Sequence, residues 1–169
     1  SCARPHGRLD AMSQIVARAE AIARAAHDGQ VDKAGMPYAD HPARVAGRCA
    51  PDEEAMAAAW LHDVLEDTDV SAAQLLAHGI PEVVITAVEA LTRAENEQGD
   101  DYYARVAANP LALKVKRADL ADNSDTGRLA ALALQDRALA ERLRAKYEHA
   151  DTVLTQLTRD GGATAVVLD

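Results

Sequence analysis

The stretch AAAWLHDVLEDTD, residues 57–69, places four ionisable side chains directly after an alanine-rich run. They are His62, Asp63, Glu66 and Asp67. Alanine and leucine favour a helix, and helical spacing puts His62 and Asp63 on the same face as Glu66, one turn later. Burying charged groups without partners costs roughly several kcal/mol. The stretch therefore predicts a helix whose polar face serves a specific purpose.

The composition supports a small helical protein. Of the 169 residues, 49% are hydrophobic, yet only 3% are aromatic and none is phenylalanine. This alanine-rich composition is typical of closely packed helices, because a sheet would use more β-branched and aromatic residues. We expect one all-α domain over residues 1–169, built from about eight helices.

Charge and hydropathy limit the partners. The net charge of −9 disfavours a nucleic acid or an anionic membrane as the main partner, since both attract clustered lysine and arginine. No apolar run reaches the length of a membrane span, and the first ten residues lack the apolar core of a secretory signal. Cys2 and Cys49 are expected to be free thiols. The sequence predicts a cytoplasmic protein with a small-molecule ligand, and leaves the oligomeric state open.

Proline, glycine and capping residues divide the chain into helices. The tail at 161–169 is left unassigned. The expected helices are Leu9–His27, a short one from Pro42, about Pro51–Glu66, Ser71–Ala77, Pro81–Thr92, about Asp101–Ala108, one over 111–123, and a long one at about Gln135–Thr158.

Two further segments carry candidate ligands. In RADLADNSD, Asp119 and Asn123 lie four residues apart on one predicted helical face, and His41 precedes Pro42 at a loop-to-helix junction. Together, His41, His62, Asp63 and Asp119 offer two imidazoles and two carboxylates. Such a donor set suits Mn²⁺, Fe²⁺ or Zn²⁺ better than Ca²⁺ and leaves positions open for water and a phosphate oxygen. We expect a hydrolytic metal site in which Glu66 handles protons.

These segments resemble a known family. The stretches AHDGQVDKAGMPYADHPARVA, AAWLHDVLEDTD and VKRADLADN, in this order between about residues 25 and 126, are similar to the HD-domain metal phosphohydrolases. More narrowly, they resemble the hydrolase domain of RelA/SpoT-type alarmone enzymes and their small stand-alone relatives. The resemblance implies an all-α HD-domain bundle.

The resemblance also implies a role for each matching residue. His41, His62, Asp63 and Asp119 would hold the metal, which in this family is usually Mn²⁺. Glu66 and Asp67 match the acidic pair that positions or activates the attacking water. Asn123 and Lys33 match positions beside the nucleotide. The family reaction removes the 3′-pyrophosphate of guanosine tetra- or pentaphosphate through attack by a metal-bound water.

The resemblance departs at positions that bind the base and phosphates. Asp32 occupies the place of an arginine that usually stacks on the guanine base, and a carboxylate neither stacks nor attracts phosphate. Leu120 and Asp125 replace basic side chains of the family's ADRLHNMR motif. A guanine alarmone, an adenine alarmone, another nucleotide or a smaller phosphate ester all remain candidates. Four cations are left to offset phosphate charge: Lys33, Lys114, Lys116 and Arg117.

Two other functions fit the same residues. One is an HD nucleotidase that releases orthophosphate from a simpler nucleotide monophosphate. The other is a sensor that binds a nucleotide without turnover. The presence of Glu66 together with all four candidate ligands favours an enzyme, because a sensor has no need of the complete set. A purely structural helical bundle is the weakest alternative.

Overall fold

The computed structural model describes the backbone of residues 6–163 and the side chains of residues 14–161. This part of the chain is all-α, as predicted, with no β-strand. None of its helices is long and apolar enough to cross a membrane. The helices are α1 (His6–Ala26), α2 (Asp40–Cys49), α3 (Glu53–Leu61), α4 (Val64–Asp67), α5 (Ala72–Ala77), α6 (Glu82–Leu91), α7 (Gly99–Ala108), α8 (Pro110–Asn123), α9 (Thr126–Gln135) and α10 (Arg137–Ala163).

Helix α3 lies at the centre and packs against α1, α2, α6 and α8. Its alanines at 55, 57, 58 and 59 are fully buried, and their small side chains let neighbouring helices approach from several directions. The helix begins at Asp52, whose carboxylate accepts a hydrogen bond from the Ala55 N–H at 3.1 Å. The alanine run therefore builds the core of the bundle.

The helix expected from about Pro51 to Glu66 is interrupted. Helix α3 ends at Leu61, residues 62 and 63 form a turn, and a single helical turn, α4, follows. The Nδ1 of His62 lies 2.6 Å from the Ala59 carbonyl oxygen, so the imidazole bonds to the last turn of α3. The interruption lies at the two candidate ligands, where ligand geometry takes precedence over helix propensity.

Two further differences from the expected helices lie in the second half of the chain. Helix α9 was not predicted, although Asp125 caps it by accepting from the Arg128 N–H at 3.0 Å. It contains no buried residue, although Leu129, Leu132 and Ala133 stand at helical spacing and are partly buried. Helix α10 begins close to the predicted start and continues to Ala163, while residues 164–169 of the unassigned tail lie outside the described residues.

Packing between helices places the candidate ligands together. His41 is the second residue of α2, Asp119 lies in the last turns of α8, and His62 and Asp63 follow α3. Because α2, α3 and α8 pack against one another, these positions meet on the inside of the bundle. Cys49, at the end of α2, is a buried free thiol, as predicted, whereas Cys2 lies outside the described residues.

Candidate metal centre

The four candidate ligands form one buried cluster. The Nε2 of His41 lies 3.0 Å from Oδ1 of Asp119, and the Nε2 of His62 lies 3.0 Å from Oδ2 of Asp63. The same His62 nitrogen is 3.7 Å from Oδ1 of Asp119. Residues separated by up to 78 positions in the chain therefore contact one another.

Hydrogen bonds orient both imidazoles. Nδ1 of His41 lies 2.8 Å from the carboxylate of Asp122, and Nδ1 of His62 faces the Ala59 carbonyl oxygen. Both partners only accept hydrogen bonds, so each Nδ1 carries the proton and donates. In the neutral rings, each Nε2 then presents a lone pair to the cluster, which is the form that binds a metal.

The ionisable groups of the cluster influence one another strongly. Burial alone would lower the pKa of His62, but the nearby carboxylates of Asp63 and Asp119 raise it well above its ordinary value. Burial would raise the pKa of Asp119, but the hydrogen bond to His41, the nearby His62 and the charge of Lys116 hold it well below its ordinary value. Burial would also raise the pKa of Asp63, but the charge of His62 lowers it, so both carboxylates stay ionised, as metal ligands must be.

The donor set fits a divalent cation. One donor atom from each of His41, His62 and Asp63 lies within 4.8 Å of the others. The Nε2 of His62 is buried and makes no hydrogen bond, although two carboxylate oxygens lie near it. A buried nitrogen that lies near carboxylate oxygens but does not hydrogen-bond to them can bind the same cation as those oxygens.

Other side chains hold the cluster in place. The hydroxyl of Tyr38 donates to Oδ2 of Asp63 at 2.5 Å. Asp122 is buried and accepts from Nε of Arg44 at 3.0 and 3.1 Å as well as from His41. Although burial alone would raise it, these bonds lower the pKa of Asp122 to about 2. From the sequence, Asp122 is expected to support the ligands or to face solvent, and Tyr38 to pack in its loop; only the packed structure shows which ligand each one contacts.

The predicted catalytic and substrate-binding residues surround the cluster. Glu66 and Asp67 lie on α4 and are exposed. Partial burial and the charges of Asp67 and Asp63 raise the pKa of Glu66 above its ordinary value. A carboxylate with a raised pKa beside such a cluster is a candidate general base. The Nδ2 of Asn123 donates to Oδ1 of Asp119 at 2.8 Å, and Lys33 lies on the exposed loop before α2.

Two cavities border the cluster and share Asp63, Asn123 and Tyr147. The small cavity has a volume of about 270 Å³ and is lined by Glu66, Arg93, Tyr102, Tyr103, Lys116 and Lys146, among others. The large cavity, of about 510 Å³, has mostly apolar walls that include Val31, Met36, Leu129 and Leu132, with Lys33 and Arg128. His62 and Asp63 therefore border a cationic cavity, whereas His41, Asp63 and Asp119 border a more apolar one.

Sequence reasoning identified only part of the cationic lining. Lys116 reaches the small cavity, but Lys114 pairs with Asp52 at 2.8 Å, and Arg117 bonds to Thr158. Arg93 and Lys146 were missed. Arg93 follows α6 at the start of an acidic loop, and Lys146 lies on the largely charged α10. Tyr147, Ala150 and Leu154 stand at helical spacing and mark the inward face of α10. This spacing could have indicated that the neighbouring Lys146 lies near the interior.

Comparison with known proteins agrees with this geometry. Residues 19–137 match the family model described as HD domain. The chain is 34% identical over 125 residues to a guanosine-3′,5′-bis(diphosphate) 3′-pyrophosphohydrolase of Aquifex aeolicus, a match covering 68% of this chain and 18% of the relative. It is 51% identical over 57 residues to the protein of the same name from Haemophilus influenzae, covering 32% of this chain and 8% of the relative. This chain thus matches only a small part of each relative.

A solved structure has a similar fold. It belongs to a metazoan ortholog of SpoT, described as hydrolysing ppGpp and playing a role in starvation responses. The match covers 95% of this chain and 99% of the other, with a TM-score of 0.59 and 21% sequence identity. The fold, the buried histidine–aspartate cluster and the family match agree: the chain belongs to the HD-domain family.

Proposed function

We propose that the protein is a metal-dependent nucleotide phosphohydrolase that removes the 3′-pyrophosphate of an alarmone of the (p)ppGpp or (p)ppApp type. The observation that carries the proposal is the cluster of His41, His62, Asp63 and Asp119, with Glu66 one helical turn beyond Asp63. The names of the relatives support this substrate class, since they are 3′-pyrophosphohydrolases of guanosine bis(diphosphate).

The four cluster residues would hold the cation, for which we propose Mn²⁺, with Fe²⁺ or Zn²⁺ as alternatives. When bound, such a cation acidifies a water molecule and polarises a phosphoryl oxygen. Asp122 and Tyr38 keep His41 and Asp63 oriented by the bonds described above. These two contacts fix the donor atoms before any ligand arrives, so that little reorganisation is needed on binding.

Glu66 is proposed to accept the proton of the attacking water, with Asp67 helping to position that water. The water oxygen forms a bond to phosphorus, and the bond between phosphorus and the nucleoside 3′ oxygen breaks. The electron pair stays on the 3′ oxygen, which takes up a proton and becomes a hydroxyl. Asn123 and Lys33 are proposed to contact the nucleotide, since Asn123 borders both cavities and Lys33 borders the large one.

The test is a nucleotide panel with metal-replenished protein, in which products are separated by anion exchange. We expect pyrophosphate and a nucleoside 5′-diphosphate from at least one 3′-pyrophosphorylated nucleotide. Release of orthophosphate from simpler nucleotides instead would make the protein an HD nucleotidase. Binding without any product would make it a sensor and would contradict the proposal.

A further inference from the structure

His27 lies directly after α1 and is almost completely buried, with 2% of its surface exposed. Its Nδ1 lies 2.9 Å from Oε1 of Gln30, in the loop that follows. Nε2 of Gln30 in turn donates to the main-chain carbonyl oxygen of Asp67, the last residue of α4, over 3.2 Å. Two side chains thus connect the end of α1 with the helical turn that carries Glu66 and Asp67.

The groups at the two ends set the direction of these hydrogen bonds. A carbonyl oxygen only accepts, so the Gln30 amide presents its nitrogen to Asp67 and its oxygen to His27. That amide oxygen also only accepts, so Nδ1 of His27 carries the proton and donates. Each donor meets an acceptor only in this arrangement, which holds the Gln30 side chain in a single orientation.

The other contacts of the His27 ring show what the imidazole contributes. Within the described residues, its Nε2 is buried and has no hydrogen-bond partner, which costs free energy that an apolar side chain would not cost. The ring also packs against Tyr38, with 4.8 Å between the ring centres, a contact that an apolar side chain could make as well. The hydrogen bond from Nδ1 to Gln30 is therefore the contact that requires an imidazole.

The segment that Gln30 contacts is short and weakly packed. Helix α4 is a single turn of four residues, of which only Val64 is buried, and the N–H of Asp67 donates to the Asp63 carbonyl oxygen at 2.9 Å. Short helices are unstable by themselves, and the last carbonyl groups of a helix have no partner within it. The Gln30 amide supplies such a partner and so restricts the positions that the carboxylates of Glu66 and Asp67 can take.

The loop that carries Gln30 is held by its main chain. The N–H of Tyr38 donates to the Gln30 carbonyl oxygen at 2.9 Å, and the N–H of Gln30 donates to the His27 carbonyl oxygen at 3.0 Å. In the described part of the chain, the walls of the two cavities include neither His27 nor Gln30. A change confined to the Gln30 side chain should therefore leave both cavities in place.

We infer that His27 and Gln30 are positioning residues for the acidic pair. His27 orients the Gln30 amide, and this amide holds the backbone of α4 so that Glu66 is placed to take the proton of the attacking water. The inference rests on the proposed function and extends it to two residues outside the four-residue cluster. Displacing a proton-accepting group slows the chemical step more than it weakens substrate binding.

The experiment measures kcat, KM and metal affinity of the metal-loaded protein with the nucleotide that it hydrolyses best in the panel. Gln30→Met keeps the length of the side chain and removes both hydrogen-bonding groups of the amide. We expect kcat to fall about tenfold, while KM and metal affinity each change by no more than about twofold. Gln156→Met, at an exposed position of α10, is the matched control and should behave like the parent in all three measurements.

Two variants of His27 separate hydrogen bonding from packing. His27→Asn loses the ring but keeps an N–H donor near the position of Nδ1, so it should retain most of the parent kcat. His27→Leu fills the space without a donor and should lose about as much kcat as Gln30→Met. Equal losses in the two variants would show that His27 acts through its packing against Tyr38 and would overturn its assigned role. If either variant fails to fold, Gln30→Met decides.

Hydrogen exchange of the Asp67 amide, followed by NMR in the metal-loaded protein, tests the contact without any activity. Exchange should be about fivefold faster in Gln30→Met than in the parent or in Gln156→Met, because α4 loses its hydrogen bond to the loop. Unchanged exchange, an unchanged kcat, or a loss confined to KM or metal affinity would each overturn the inference. Failure of the proposed function is a separate result: the panel detects it in the parent as absent pyrophosphate release, and the exchange rates still decide whether Gln30 holds α4.

Discussion

Nδ1 of His41 donates a hydrogen bond of 2.8 Å to the buried carboxylate of Asp122, while Nε2 of the same ring faces Asp119. A carboxylate that orients a metal-binding histidine from behind commonly raises metal affinity. Arg44 and Arg48 lie within 4.0 Å of this carboxylate, so its negative charge is shared between the His41 ring and two guanidinium groups.

The first prediction concerns this contact. Asp122→Ala should reduce metal affinity by about 10–100-fold, because the His41 ring loses its preferred orientation and tautomer. Asp122→Asn, which can still accept through its amide oxygen, should lose less. Metal titration monitored by calorimetry measures both variants. Asp151→Ala, which removes an exposed carboxylate of α10, is the control and should bind metal like the parent.

The second prediction concerns Glu66. Glu66→Gln keeps the size of the side chain but cannot accept a proton, so we expect kcat to fall by about 10²–10⁴-fold. Metal content should remain stoichiometric, since Glu66 is not in the four-residue cluster. Glu89→Gln, at an exposed position of α6, serves as the control for adding an amide. Full activity in Glu66→Gln would assign the proton transfer to another group.

Only part of the site can be predicted from the sequence, because some of its residues are placed by local spacing and others only by packing between helices. His62, Asp63, Glu66 and Asn123 could be identified because their spacing along the chain encodes a local arrangement, and the resemblance to a family joined them to His41 and Asp119. The contacts of Asp122 with His41 and of Lys146 with the small cavity depend on how α10, α8 and α2 pack, which no local pattern encodes. Helix α9 is different, because Leu129, Leu132 and Ala133 stand at helical spacing after the capping residue Asp125, and this signal in the sequence was overlooked.

The third prediction concerns the metal itself. Adding Mn²⁺ to chelator-treated protein should raise the thermal unfolding midpoint, because a ligand that binds only the native state stabilises it. His62→Ala should abolish this increase, since its Nε2 lies near both cluster carboxylates. Differential scanning calorimetry with and without metal measures the effect. His78, at the end of α5, offers the control: His78→Ala should retain the increase.

The fourth prediction concerns the loop at Asp32. Oδ1 of Asp32 accepts hydrogen bonds from the N–H groups of Ala34 and Met36 at 2.8 and 2.9 Å, so this carboxylate shapes the loop that borders the large cavity. Asp32→Asn keeps an acceptor and removes the negative charge. We expect its KM for a guanine alarmone to fall a few-fold at low ionic strength, with the gain shrinking as salt rises.

Asp32→Arg separates the two roles of this position. It supplies the stacking side chain that the family usually has, but it removes the acceptor that closes the loop. We therefore expect Asp32→Arg to lower KM by less than the change in charge alone would produce. Its thermal stability should be lower than that of Asp32→Asn. A KM that is unchanged in both variants would show that position 32 does not contact the substrate.

The fifth prediction concerns the start of the central helix. The Asp52 carboxylate caps α3 and pairs with Lys114, and these bonds lower its pKa below the ordinary value of 3.8. Asp52→Ala should reduce the free energy of unfolding by about 1 kcal/mol at neutral pH, whereas Asp52→Asn, which also caps helices, should cost less. Urea unfolding of the metal-free protein measures both.

The difference in free energy of unfolding between the parent and Asp52→Ala should depend on pH, because the pKa of Asp52 is lowered in the folded state. Because the folded state holds the Asp52 proton more weakly than the unfolded state, the ionic part of the stabilisation is fully present above about pH 5. It is lost as the pH falls through 3.8 and then through the lower pKa of the folded state. The gap between the parent and Asp52→Ala should therefore narrow in acid. A gap that stays constant down to about pH 3 would mean that the cap acts without its charge.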